Sequence, residues 1–79
     1  MTPQPKQIRG ARGLLGWHQQ DLARQAGVQL RTVQNVETGA HKPSKSTLAK
    51  LKAALEAAGI EFTNGDAPGV RYVGPPADT

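Results

Sequence analysis

The sequence predicts a mainly α domain of four short helices closed by a short C-terminal β-hairpin, and three observations carry that expectation. Residues Gln19 to Glu37 have the spacing of two short helices that cross over a tight turn: Ala23 is small enough to let the second approach the first, and Gly27 can take the positive φ the turn requires. Further on, Leu48, Leu51, Ala54, Leu55 and Ala58 fall on one helical stripe. Beyond Gly59 the apolar period drops from about 3.6 residues to 2, through Ile60-Glu61-Phe62 and Val70-Arg71-Tyr72-Val73, which is strand spacing.

Taken in order, Met1 to Pro5 reads as a flexible arm, although Thr2-Pro3 could also cap and open a helix, since proline is tolerated in a first turn. Ile8, Ala11, Leu14 and Leu15 give helical spacing from about Lys6 to Leu15. Gly10 and Gly13 each weaken that helix by roughly 1 kcal/mol relative to alanine, so packing has to hold it, with Trp17 as the plug beside it and Gly16 as its C-cap. A second helix runs from about His18 to Ala26 and a third from about Gln29 to Thr38, where Gly39 stops it. Val28, Val33 and Val36 close the core beneath, whereas Leu30, Arg31, Gln34, Asn35 and Thr38 form the stripe that points away from it. After the loop Ala40 to Ser44, either Ser44 or Ser46 caps a fourth helix that Gly59 ends. The strands are separated by the turn formers Asn64-Gly65 and Pro68-Gly69; two strands alone are marginal in water, so the hairpin must pack on the helices or pair with a second copy. The expected organisation is an arm at 1–5, a helical domain at 6–59, a hairpin extension at 60–73 and a flexible tail at 74–79.

A chain of 79 residues holds one domain with one modest core. It contains no cysteine, which removes disulfides, thiolate nucleophiles and thiolate metal sites. His18 and His41 are isolated, Gly10, Gly13 and Gly16 lack the strand and Gly-Lys-Ser/Thr context of a phosphate loop, and the C-terminal acids are scattered. No catalytic residue, cofactor or metal is therefore expected. No apolar run approaches the roughly 20 residues of a membrane span, and the first residues lack the pattern of a signal peptide, so a cytoplasmic location is expected. The charge is lopsided: residues 1–52 carry a net +7 and residues 53–79 a net −3. A basic, motif-bearing end attracts polyanions and an acidic end does not.

From Gln7 to about Ile60 the sequence resembles the Cro and phage-lambda-repressor helix-turn-helix family, also called XRE-like. Gln19, Leu22, Ala23, Gly27, Val28, Val33, Val36, Glu37 and Gly39 carry the resemblance, followed by Pro43-Ser44 and Thr47-Leu48-Ala49-Lys50-Leu51. The stretch Ala57 to Phe62 with Pro68 to Arg71 looks like a bacterial subset with a short β extension. The resemblance implies a four-helix lambda-repressor-like domain whose third helix enters the major groove of double-stranded DNA, usually as a homodimer on a two-fold symmetric operator.

It also implies roles for particular residues. Gln19 matches a glutamine that grips a phosphate and braces the third helix; Gln29, Leu30, Arg31 and Asn35 match base-contacting positions, with Gln34 beside them. Their chemistry agrees. Arg31 can fork onto guanine O6 and N7, Asn35 or Gln34 can take adenine N6 and N7, and Leu30 either rests on a thymine methyl, contacts a partner subunit or is simply exposed. Lys42 lies where the following loop meets the DNA backbone; Thr38, His41, Lys45 and Lys6 would add contacts to phosphate that carry no sequence information. Arg12 and Glu37 match positions that form an ion pair between the first helix and the end of the third. In the family Ser or Thr commonly precedes both motif helices. Here His18 and Gln29 stand there, and weaker capping should cost roughly 1 kcal/mol at each. Phe62 and Tyr72 are expected to help join two copies, through edge pairing or an apolar face. The function expected is a sequence-specific transcriptional regulator that represses by covering a promoter. The competing expectation is a protein-interaction module, such as an antitoxin with a toxin partner or the partner subunit of a regulator.

Overall fold

The computed structural model describes residues 3–40, 42–63 and 69–74. Its elements are α1 (Pro5–Leu14), α2 (Gln19–Ala26), α3 (Leu30–Thr38), α4 (Lys45–Ala57), β1 (Ile60–Thr63) and β2 (Gly69–Tyr72). The fold is the expected one: four helices and a short antiparallel pair of strands at the C-terminal end.

Helix starts follow from how each first turn satisfies its amide groups. α1 opens at Pro5, where the missing N–H costs nothing, and the side chain of Gln7 reaches back to accept from Gln4 N–H at 2.8 Å. Pro3 is buried, and residues 1 and 2 lie outside the described residues. His18 and Gln29, the approximate helix starts by spacing, are the residues that cap α2 and α3, the position the resemblance gives them. His18 lacks a serine's hydroxyl, but Asp21 Oδ2 accepts from its backbone N–H at 2.8 Å and puts an acid in the first turn, where the helix dipole favours it. Gln29 supplies no side-chain cap. For α4 the choice falls on Ser44, whose Oγ accepts from Thr47 N–H at 3.1 Å.

Between α2 and α3 the chain reverses at Gly27, with φ +71°, and the Val28 N–H closes back on Ala23 O at 3.0 Å. A Cβ at that φ would crowd the following carbonyl, so glycine is what the turn needs. The four helices and β1 each contribute one face to a single core of Ile8, Ala11, Leu22, Ala23, Val33, Val36, Leu51, Leu55 and Ile60. Trp17 and Val28 pack against its rim, as do Phe62 and Val70 from the strands.

The hairpin pairs Ile60 with Tyr72, Glu61 with Arg71, Phe62 with Val70 and Thr63 with Gly69. The turn formers Asn64-Gly65 and Pro68 lie outside the described residues. Packing supplies what two strands lack alone. The buried Gln7 side chain donates from Nε2 to both Thr63 O at 3.3 Å and Gly69 O at 3.0 Å, while Gly10 of α1 lies beside Val70 of β2. On the opposite face Arg71 and Glu61 form an exposed cross-strand pair at 2.6 Å.

Two glycine substitutions separate propensity from conformational need. Gly13 is helical, with nothing within 4 Å of an added Cβ, so Gly13→Ala should stabilise the fold by about 0.5–1 kcal/mol. Gly27→Ala, equally uncrowded but at φ +71°, should destabilise it by about 1 kcal/mol or more. Urea unfolding of both variants checks the two signs.

Candidate nucleic-acid interface

α3 is buried along one side by Val33 and Val36, which leaves Arg31, Gln34 and Thr38 exposed on the other. Leu30 is exposed at the start of the helix and Asn35 is half-buried at the margin of the stripe. The side chains of Arg31, Gln34 and Asn35 form no hydrogen bond with any described residue. Gln29 is also exposed, at the cap.

Thr38 differs from its neighbours on the stripe: its hydroxyl donates to Asn35 O at 3.2 Å and accepts from Ala40 N–H at 3.4 Å. Its proton therefore serves the end of the helix instead of pointing outward.

A buried network joins the end of α3 to α1 and α2 from behind. Glu37, at its last turn, has a side chain only 2% exposed, and its two oxygens accept from Arg12 Nε at 2.7 Å and Arg12 Nη2 at 2.9 Å. Gln19 Nε2 adds a third bond to Glu37 Oε1 at 3.2 Å, and Arg12 Nη1 donates to Trp17 O at 2.9 Å. One carboxylate thus ties α1, the loop after it, and α2 to the end of α3. Its hydrogen bonds to Glu37 raise the Arg12 guanidinium above its ordinary pKa, against the opposing effect of burial, with Coulombic attraction to Glu37 adding to the rise. Gln19 accordingly braces α3 directly, and one proton of its amide stays available to a neighbouring acceptor.

Basic groups collect around the C-terminal end of the same helix. A groove of about 570 Å³ places Lys6 and Arg9 of α1 beside Thr38 and Gly39. A second, of about 540 Å³, is lined by Lys42 and Lys45 with Pro3, Pro43 and Leu48. All four cations are exposed. Arg9 is absent from the sequence-based expectation; its signal is the i, i+3 spacing from Lys6, which sets both on one side of α1. His41 lies outside the described residues.

The two hairpin aromatics differ in exposure: Phe62 faces inward onto the core, whereas Tyr72, on the other strand and two pairs along, is 53% exposed. Among the described residues no helix is long and apolar enough to cross a membrane.

Compared with known families, the chain matches the helix-turn-helix model over residues 8–60, from α1 to the first residue of β1. No curated protein matches it.

Removing the Glu37 carboxylate leaves Arg12 without its partner. Glu37→Ala should cost on the order of 2–3 kcal/mol in denaturant unfolding. Arg12→Ala/Glu37→Ala should cost less than the sum of its two single variants, because the double change leaves neither charge stranded. Additive losses would show that the two side chains act independently.

Proposed function

Because the chain belongs to the XRE and lambda-repressor-like helix-turn-helix family, its function is of the DNA-binding, transcription-regulating kind, and we propose that it is a sequence-specific repressor reading the major groove with α3. The observation that carries this is the outer stripe of α3, polar, exposed and unbonded to any described residue, on a helix held from behind by the Glu37 network. Donors with no internal partner, carried on a helix whose backbone is itself held by the core and the Glu37 network, are free to bond a base edge.

In this reading Arg31 forks onto guanine, Gln34 or Asn35 takes adenine, and Gln29 and Leu30 meet the bases at the front of the helix. Gln19, Lys42 and Lys45 hold phosphates, with Thr38 and His41 at the edge of that contact, and Lys6 and Arg9 extend the positive surface. Two copies bind a two-fold site. Repression follows from covering a promoter.

Selection of binding sites from random duplexes, followed by affinity measurements against random DNA at fixed salt, tests this. Arg31→Ala should lose about 1–3 kcal/mol on the selected site and relax the preference at one position in each half. Lys42→Ala or Lys45→Ala should weaken binding to every duplex alike and lower the salt slope by about 1. Equal affinity of the unaltered chain for selected and random DNA would contradict the proposal.

A further inference from the structure

The groove that Lys42 and Lys45 line has a character that phosphate binding alone does not explain. Its volume of about 540 Å³ falls within the range of about 300–1,000 Å³ typical of small-molecule sites. Most of its lining is apolar: Pro3 and Pro5 where α1 begins, Val36 near the end of α3, Pro43 in the loop that follows and Leu48 in α4. Proline has a fixed φ, so three of these five positions are set before anything binds.

The charged part of the groove is cationic and unmatched. Lys42 and Lys45 are exposed, neither forms an ion pair with a described residue, and no described acid lines the groove. α4 also starts at this rim, so the positive end of its dipole adds to the two ammonium groups. An apolar lining beside unmatched positive charge has one complement, an apolar body that carries an anionic head. A duplex phosphate meets the charge and leaves the apolar lining uncovered. An uncharged apolar compound covers the lining and leaves both lysines unanswered.

We propose that this groove is an effector site for a small organic anion, an apolar ring body with one acidic head, and that its occupation opposes the binding of DNA. The site stands independently of the proposed function; the opposition rests on it. Lys42 and Lys45 are the cations that the proposed function gives to the DNA backbone, and once an acidic head meets them they no longer draw phosphates. Val36 and Gly39, which the same occupant touches, lie at the end of the helix that reads the bases. The coupling is reciprocal, so bound DNA lowers the affinity of the groove for the anion by the same factor.

Anilinonaphthalene sulfonate supplies both parts of the complement and fluoresces when shielded from water. Titrated into the full chain, it should saturate at one per chain and shift the methyl NMR signals of Val36 and Leu48 and the amide signal of Gly39. Sodium sulfate, which lacks the apolar body, and phenylnaphthylamine, which lacks the charge, should each bind at least about tenfold more weakly. Lys42→Glu/Lys45→Glu should weaken the sulfonate by a similar factor while its circular dichroism is retained. At fixed ionic strength the sulfonate should lower affinity for a selected duplex by at least about fivefold. Shifts confined to the exposed Leu14, Tyr72 and Val73, or equal affinity for the uncharged compound, overturn the site. Sulfate bound as tightly as the sulfonate marks a simple phosphate contact and overturns it too. If the double variant does not fold, the shifts on the unaltered chain and the comparison of the three probes decide. Sulfonate bound in the groove with duplex affinity unchanged overturns the opposition. A chain indifferent to DNA sequence whose groove still takes the sulfonate would defeat the proposed function and leave the site standing.

Discussion

One carboxylate organises the functional end of the molecule. Glu37 sits at the end of α3, out of water, and a charge in that position is tolerable only because Arg12 meets both of its oxygens and Gln19 meets one of them. The arrangement has a geometric consequence beyond its stability. A forked guanidinium accepts few orientations of a carboxylate, so α3 is held at one angle to α1 and α2 while its valines are seated in the core. The stripe that carries Arg31 and Gln34 inherits that orientation without taking part in it.

The chain divides its labour along its length. The helices, rich in lysine and arginine, surround the end of α3 with Lys6, Arg9, Lys42 and Lys45, a field that draws a polyanion whatever its sequence. In the proposed function, discrimination then depends on the few uncommitted side chains of α3. The C-terminal third, net negative, keeps its apolar residues for packing: Ile60, Phe62 and Val70 on the core, with Tyr72 and Val73 left at the margin. Gln7 connects the two parts, because the same side chain completes the first turn of α1 and bonds the backbone of both strands.

Much of the fold was legible because it depends on local spacing. The stripe from Leu48 to Leu55 needs no partner to be recognised, and the change of period after Gly59 marks the hairpin. Spacing places the starts of α2 and α3 one residue early, at His18 and Gln29, since it does not distinguish a capping residue from a first helical one, and the start of α1 one residue late, because Pro5 adds no apolar side chain to the stripe. Capping at His18 was undervalued for a related reason: the oxygen comes from Asp21, three residues on. At the interface, residue chemistry shows that Thr38 can donate but not where its proton goes, which the end of α3 decides. Alternation puts Ile60, Phe62, Val70 and Tyr72 on one face of the sheet. It does not reveal that the helices cover the first three and stop short of Tyr72.

The central claim is that the outer face of α3, held in place by Glu37, is the surface that meets base edges. Side-chain and amide NMR shifts recorded while a selected duplex is titrated into the labelled chain test it most directly. The largest changes should fall on the Arg31 guanidinium and the Gln34 and Asn35 amides, with smaller ones at Lys42 and Lys45. Changes confined to the hairpin or to α4, with α3 unmoved, would contradict it.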